Sequence, residues 1–238
     1  SSGCLVSMTQ VELKKIVRQI KDQKFRIRVK NFMEGSFVEF KRLGGLTFLD
    51  SPAGKSRHHS YVGGLVEHTL SVAKIGLTLV EILEKNYGWK HINKDYVLAG
   101  ALLHDLYKPL TYKVKENGTY DYSSLGEQLD HLSILIGEAY KKGFPTDFIH
   151  ILASSHGEAS PISPRTPEAF IIHLADLVDS RLLGEVQRLA LQIVRGCVGS
   201  AEIVLTPREA FEIVRAKQTG GCEKVRKIIE DKIKINIS

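Results

Sequence analysis

At its centre the chain reads Ala101-Leu102-Leu103-His104-Asp105-Leu106-Tyr107-Lys108-Pro109. The adjacent His104 and Asp105 can offer an imidazole nitrogen and a carboxylate to one cation, and a bridging carboxylate can bind two. At helical spacing, positions 97, 101, 104, 105 and 108 share one face, which brings His104, Asp105 and Lys108 together. Pro109 is expected to end this helix. The alternative is a structural ion pair at a helix end, so the other histidines must decide between the two interpretations.

The composition is typical of a soluble globular protein. The 238 residues are enough to bury a substantial core, and 43% are hydrophobic while 25% are charged. No apolar run approaches the roughly 20 residues of a membrane span, so no membrane partner is expected. We find no linker. We therefore expect residues 1–7 to be a tag or disordered tail and one domain to span residues 8–238, with its core motifs at 50–182.

Cysteine usage and charge suggest a compartment and a class of partner. Cys4, Cys197 and Cys222 are dispersed without C-x-x-C spacing, which favours a reducing compartment, and we expect the cytoplasm. The net charge of +6 favours an anionic partner. Because the basic residues are spread along the chain and not gathered in a tail, a phosphorylated small molecule is expected ahead of nucleic acid. Assembly into a homo-oligomer stays open.

The hydrophobic pattern predicts an all-α fold, a helical bundle with one small β-hairpin. Helical periodicity indicates helices over 64–86, 93–105, 126–142 and 146–155, and another that begins after Thr166-Pro167. The hairpin is predicted where residues 111–114 and 119–122 flank an Asn117-Gly118 turn.

Six side chains on or next to separate predicted helices could meet in such a bundle. Asp176 lies in a helix that is apolar nearly all round, so its carboxylate needs a cation, either a metal ion or the side chain of Arg181. The donors as a set suit iron, manganese, zinc, cobalt or nickel and not a thiolate-bound metal. The six candidates are His68, His104, Asp105, His131, His156 and Asp176.

This pattern resembles the HD-domain metal-dependent phosphohydrolases, an all-α superfamily. The resemblance covers about residues 50–182 and rests on His68, on His104-Asp105 followed by Lys108, and on Asp176. Residues 58–69 are similar to the segment H-H-x-x-x-G-G-L-x-E-H-T of the subgroup that includes bacterial 3′-5′ exoribonucleases. Those enzymes carry an N-terminal OB-fold, for which the segment ahead of residue 50 is too short and too helical. Archaeal members include a cyclic phosphodiesterase of pterin biosynthesis.

The resemblance implies a site with two metal ions. His68, His104, Asp105 and Asp176 would hold the first, and the two middle histidines, His131 and His156, would hold the second with Asp105 as the bridge. Such a pair of ions acidifies a water and clamps the phosphoryl oxygens, so catalysis by a metal-activated hydroxide is implied.

The implied catalytic residues are Asp105 and Lys108, where Lys108 would stabilise charge on the phosphoryl group or on its leaving oxygen. The alternative for Lys108 is an exposed lysine at a helix end. His58 is expected to be structural, and His91, His150 and His173 match no motif position. The candidates for substrate binding are Arg57, His59, Lys108 and Arg165.

The expected function is therefore a metal-dependent phosphodiesterase that hydrolyses a nucleotide-like or cyclic phosphate, for example a pterin or nucleoside cyclic phosphate. Two other activities stay open, a 3′-5′ exoribonuclease and an HD-type di-iron oxygenase. A non-catalytic ligand-binding module is disfavoured because no ligand position is missing.

Overall fold

Helices dominate the fold in this computed structural model, which describes residues 2–56, 58–199 and 203–237. The predicted all-α bundle with one hairpin is confirmed. The helices are α1 (Ser2–Gln19), α2 (Gln23–Arg42), α3 (Gly64–Tyr87), α4 (Lys94–Leu103), α5 (Lys108–Thr111), α6 (His131–Lys141), α7 (Thr146–Ala153), α8 (Pro167–Val198) and α9 (Pro207–Ile237).

Helix α4 lies at the centre of the bundle, where it packs against α3, α7 and α8. All seven of its residues from Val97 to Leu103 are buried, so this part of the helix has no face toward solvent. A Cβ on Gly100 would lie 3.0 Å from Ile172 and 3.1 Å from Ile151, which shows how closely α8 and α7 approach. The end of α4 is therefore fixed in the interior of the molecule.

The prediction of one helix that reaches Asp105, with its face extended to Lys108 and stopped by Pro109, is wrong. Helix α4 ends at Leu103, and a turn over residues 104–107 precedes α5. Pro109 lies in the first turn of α5, where its missing N–H leaves no helical hydrogen bond unmade. His104, Asp105 and Lys108 thus do not share the face of one continuous helix. Their meeting depends on the turn, whose Asp105 carbonyl accepts from the Lys108 N–H at 3.1 Å.

The hairpin consists of β1 (Tyr112–Val114) and β2 (Tyr120–Tyr122), which are antiparallel. Tyr112 pairs with Tyr122, and Val114 pairs with Tyr120. Gly118 has a φ of 77° and its N–H donates to the Lys115 carbonyl at 2.9 Å, so the glycine takes the left-handed position that ends the turn. Because β1 follows α5 directly, the hairpin lies beside the turn that carries His104 and Asp105.

Buried apolar side chains form two clusters, and α8 contributes to both. The larger cluster contains α4 and the first part of α8, up to Ala175. The smaller one begins at Ala190 of α8 and is completed by α9. Helix α9 breaks at Gly221, which has a φ of 62°, and an ion pair joins Glu209 to Lys232 across the bend. One domain over residues 8–238 stays a prediction.

The bend in α9 also brings two dispersed cysteines together. Cys222 returns to α8 and forms a disulfide with Cys197, with the two Cα atoms 5.1 Å apart. A separation of 25 residues hid this pairing in the sequence. The prediction of a cytoplasmic location therefore loses its argument from unpaired cysteines. Among the described residues, no helix has both the length and the apolar character that crossing a membrane requires.

Candidate metal centre and active site

The turn after α4 places His104 and Asp105 in the interior, where both side chains are buried. The first group of donors forms around them. His68 Nε2 lies 2.9 Å from Asp176 Oδ1, 3.3 Å from His104 Nε2 and 3.4 Å from Asp105 Oδ2. One ligand atom from each of these four residues lies within 4.8 Å of the others, which is close enough to hold one metal ion.

The second group uses the opposite oxygen of Asp105. His131 Nε2 lies 3.1 Å from Asp105 Oδ1 and 3.0 Å from His156 Nε2. Helix α6 begins at His131 itself, and His156 follows α7, so two short helices supply this pair. Asp105 Oδ2 faces the first group while Oδ1 faces the second, which is the arrangement that a bridging ligand requires.

Asp176 also reaches both groups, which the sequence did not indicate. Its Oδ1 faces His68, while its Oδ2 lies 3.2 Å from His156 Nδ1. His156 can therefore keep Nε2 free toward Asp105 Oδ1, at 3.7 Å, while Asp176 fixes the orientation of its ring. Two buried carboxylates thus connect the groups, not Asp105 alone.

The donor set fits divalent metal ions. Among the described residues, both oxygens of Asp105 are buried without a hydrogen bond of regular geometry. Two pairs of imidazole nitrogens face each other at 3.0 and 3.3 Å, and two lone pairs at such distances need a proton or a cation between them. Buried carboxylates and imidazoles at this density are stable only with compensating positive charge, which metal ions supply.

Comparison with known proteins identifies the family. The model of the HD domain matches residues 65–181. The chain is also 43% identical over 170 residues to the dihydroneopterin 2′,3′-cyclic phosphate phosphodiesterase of Methanocaldococcus jannaschii, across 71% of this chain and 68% of that protein. The chain belongs to the HD-domain family. The family match and the similarity to this phosphodiesterase together support a metal-dependent phosphohydrolase.

Two exoribonucleases are similar to a smaller part of the chain. The chain is 33% identical over 149 residues to the 3′-5′ exoribonuclease YhaM of Shouchella clausii and 31% identical over 146 residues to that of a Geobacillus species. These matches cover 57% of this chain and 43% of each exoribonuclease, so the chain spans less than half of their length. No solved structure matches the chain.

The lysine of this HD domain is buried and not an exposed helix-end residue. Lys108 Nζ lies 2.7 Å from Asp105 Oδ2 and donates a hydrogen bond to the carbonyl oxygen of Ala53. Burial lowers the pKa of Lys108, but the charge of Asp105 outweighs it and raises the pKa above its usual value. Burial likewise raises the pKa of Asp105, but Lys108 and His104 hold it well below its usual value. Both groups are therefore charged at neutral pH.

Two hydrogen bonds orient the histidines of the first group. His104 Nδ1 donates to the carbonyl oxygen of Ala101 at 2.9 Å, and His68 Nδ1 lies 2.7 Å from Asp179 Oδ2. Each bond leaves Nε2 directed toward the centre, as metal-binding histidines require. No role for Asp179 was predicted from the sequence. Its position three residues after Asp176 could have revealed it, since i and i+3 share a helix face.

The loop before α3 places two further histidines, His58 and His59, next to His68. His59 is buried with a φ of 50°, and its Nε2 lies 3.4 Å from Asp179 Oδ2. His58 and His59 have Nδ1 atoms 3.1 Å apart and form, with His68, a third group able to hold a metal ion. Burial lowers the pKa of His59 to about 2 and that of His58 to about 4. Both rings are therefore neutral at physiological pH, so His59 offers no positive charge to a phosphate.

Arg57 and Arg165 were also predicted to bind substrate. Arg57 is outside the described residues. Arg165 is exposed, and its backbone N–H donates to His150 Nε2 at 3.0 Å. The assignment of Arg57, His59 and Arg165 to substrate binding stays a prediction. None of His91, His150 and His173 belongs to a metal-binding group among the described residues.

Proposed function

We propose that this protein is a metal-dependent phosphodiesterase that opens a cyclic phosphate diester on a small heterocyclic molecule. The observation that carries the proposal is the pair of donor groups joined through Asp105, with one oxygen toward His68 and the other toward His131. Paired sites of this kind suit phosphodiesters, because both the attacking and the leaving oxygen must be stabilised. The relative from M. jannaschii, named for the hydrolysis of a cyclic phosphate, supports the same substrate class.

We infer that two divalent ions bind, and that the nitrogen and oxygen donors select iron, manganese, zinc, cobalt or nickel. When bound, these ions supply Lewis acidity toward the phosphoryl oxygens and acidify a water that serves as the nucleophile. The first ion is assigned to the group around His104, and the second to His131 and His156 with Asp105 shared.

The protein itself supplies a fixed positive charge and fixed ligand orientations. Lys108 keeps its proton at neutral pH, because its pKa is raised by Asp105 despite burial. Held by Asp105 and by the Ala53 carbonyl, its ammonium group can offset the negative charge that grows as the ester P–O bond breaks. Asp179 and the Ala101 carbonyl keep the His68 and His104 rings in one orientation, so no reorganisation is needed during the reaction.

The proposal is tested with chelator-stripped protein that is reloaded with each of the five metals. Each form is assayed on neopterin 2′,3′-cyclic phosphate, a nucleoside 2′,3′-cyclic phosphate and a phosphomonoester. We expect metal-restored conversion of the cyclic diesters to monoesters, little release of inorganic phosphate, and about two ions per chain by metal analysis. A chain that binds metal but releases phosphate only from the monoester would refute the diesterase assignment.

Two further substrates in the same panel test the other activities. Single-stranded RNA tests the exoribonuclease activity, for which the relatives from S. clausii and Geobacillus are named. Oxygen consumption by the iron-loaded protein tests the oxygenase. Release of mononucleotides from RNA at a rate above that on cyclic phosphates would favour the exoribonuclease, and the partner would then be a nucleic acid.

A further inference from the structure

Three side chains beside the proposed metal centre have no part in the function described so far. Tyr112 and Tyr122 are directly paired across the hairpin, so their rings lie on the same face. The rings are stacked with their centroids 5.7 Å apart and their planes 21° apart. Lys55 places its ammonium nitrogen 4.7 Å from the centroid of the Tyr122 ring. The result is an aromatic stack with a cation over one of its rings.

This stack is anchored next to Lys108. Tyr112 follows Lys108 by four residues at the end of α5. The segment after the hairpin is tied back to α5, since the Ser123 N–H donates to the Thr111 carbonyl at 2.9 Å and its hydroxyl donates to the Leu110 carbonyl. A Cβ on Gly126 would overlap the Thr111 carbonyl oxygen, which shows how tightly the two segments pack.

The Lys55 ammonium group is held in place by its own loop and by the hairpin. In the loop that carries Lys55, the Ala53 carbonyl oxygen accepts a hydrogen bond from the Lys108 ammonium group. Ser60 fixes the loop further by donating to the Lys55 carbonyl at 2.7 Å. The Lys55 ammonium group is itself 2.9 Å from Asp121 Oδ1, on the strand between the hairpin turn and Tyr122. Lys108, the loop of Lys55 and the hairpin are therefore joined by direct contacts into one structural unit.

The stack is accessible at one end and buried at the other. Tyr122 is 43% exposed, while Tyr112 is partly buried. Tyr112 directly follows α5, which begins at Lys108, and the loop of Lys55 binds Lys108 through the Ala53 carbonyl. A planar ring bound here would thus lie near the proposed phosphate position. Flat heterocycles stack on tyrosine, and a nearby lysine favours their electron-rich faces and carbonyl oxygens.

We propose that Tyr112, Tyr122 and Lys55 form a subsite for the planar heterocycle of a small cyclic phosphate, a purine, pyrimidine or pterin ring. This inference rests on the proposed diesterase function and names the part of the substrate that the metal centre does not recognise. The subsite selects substrates that carry an aromatic ring over those that carry the same cyclic phosphate without one. It acts mainly through binding, because the ring lies away from the bond that breaks.

The test compares kcat/KM for two substrates, guanosine 2′,3′-cyclic phosphate and glycerol 1,2-cyclic phosphate, which has the same five-membered diester but no ring. We expect Tyr122→Ala to reduce the ratio of the two values by roughly tenfold to a hundredfold, the range for loss of one stacking contact, mainly through KM for the guanosine compound. Tyr122→Phe should keep most of the ratio, because it retains the ring. The control is Tyr87→Ala, which removes a tyrosine that is 70% exposed at the end of α3.

Each other outcome decides against part of the proposal. An equal loss on both substrates, with a lower melting temperature, would make Tyr122 a structural residue and overturn the subsite. An unchanged ratio would also overturn it. If cleavage of an RNA oligonucleotide depends on Tyr122 in the same way and has a higher kcat/KM, the subsite binds a base of RNA. The proposed small-molecule substrate class is then wrong.

If the parent protein cleaves neither cyclic phosphate, the proposed function fails, and the subsite is then tested by binding alone. Guanosine 3′-monophosphate and glycerol phosphate are titrated calorimetrically into the parent and Tyr122→Ala proteins. Preferential binding of the guanosine compound that is lost in Tyr122→Ala would support the subsite without the reaction. Equal binding of both compounds would overturn it.

Discussion

Asp105 and Asp176 are the two residues on which the site depends most. Asp105 lies close to both the His68 group and His131, and it also pairs with Lys108 at 2.7 Å. We expect Asp105→Ala to weaken both metal sites and to lower turnover by about a thousandfold or more, beyond the loss caused by His131→Ala. Asp176→Ala should come close to this loss, since Asp176 also contacts both groups.

The measurement combines metal titration with steady-state kinetics for the three variants. The control is Asp231→Ala, which removes an exposed carboxylate of α9. If Asp105→Ala retained tight binding of both ions, or turned over faster than His131→Ala, Asp105 would not be the shared ligand. Without metal, Asp105→Ala should also melt lower than the parent, because it leaves the buried Lys108 ammonium group unpaired.

Lys108 should separate catalysis from metal binding. Lys108→Ala removes a charge that is not a ligand, so we expect turnover to fall by roughly tenfold to a thousandfold while the metal content stays at the parent value. Lys108→Met, which keeps most of the apolar volume, serves as the matched variant for packing. Loss of metal in both variants would mean that the lysine acts by positioning Asp105 and not by stabilising charge on the substrate.

Asp179 is expected to raise the affinity of the His68 group for metal through its contact with His68 Nδ1. In Asp179→Asn the shape is kept, but the carboxylate that accepts from His68 Nδ1 is replaced by a weaker amide acceptor. We expect the affinity for the first metal ion to fall by about 10- to 100-fold, as is typical for such partners. Competition with a chromogenic chelator measures this directly, without reference to turnover. If the variant bound metal with the same affinity as the parent, Asp179 would contribute only to packing.

At the scale of single elements, the loop that carries His58 and His59 packs closely against the start of α3. This contact holds His59 in its left-handed conformation. A Cβ on Gly64 would overlap the carbonyl oxygen of His59, so Gly64→Ala must push the loop or the helix away. We expect a loss of stability of roughly 1–3 kcal/mol, together with weaker metal binding at His68. Gly137→Ala is the matched control.

Gly137 lies within α6, and an added Cβ there meets nothing within 4 Å. The same substitution should therefore stabilise the protein by about 0.5–1 kcal/mol, because alanine favours helix over glycine. Chemical denaturation of both variants gives the two free energies of unfolding. If Gly64→Ala were as stable as the parent, the loop would be free to move, and its histidines could not be held behind His68.

The elements also show how far the sequence alone could lead. The hairpin was predictable because Asn117-Gly118 favours a turn. The meeting of the six donor side chains was predictable because the motif fixes their order and spacing along the chain. The end of α4 was not, since Pro109 is equally compatible with stopping one helix and starting the next. Asp179, the Ala53 carbonyl and the Cys197–Cys222 pair were missed because each acts through a partner distant in sequence.

At the scale of the whole molecule, the two apolar clusters set what metal binding can stabilise. Helix α8 carries Asp176 in its first half and joins α9 through Ala190 and Val194 in its second half. Metal ions held by the proposed donor groups would bind the native arrangement of the first half and not the unfolded chain, so they would stabilise it by mass action. The α9 cluster holds none of the metal-binding groups among the described residues, and it has its own disulfide. The two parts can therefore respond differently to metal.

We expect hydrogen exchange to resolve this difference. At a free metal concentration of about 100 times Kd the added stability is about 2.7 kcal/mol, which slows exchange roughly 100-fold for amides that exchange only when the first cluster opens. Amides of α3, α4 and the first half of α8 should show this slowing, while those of α9 should exchange at the same rate with and without metal. The comparison needs one protein and two samples, one stripped and one reloaded. Equal slowing in α9 would show that the clusters unfold as one cooperative unit, because α8 would then transmit the full binding energy from Asp176 to Val194 and on to the helices that pack there.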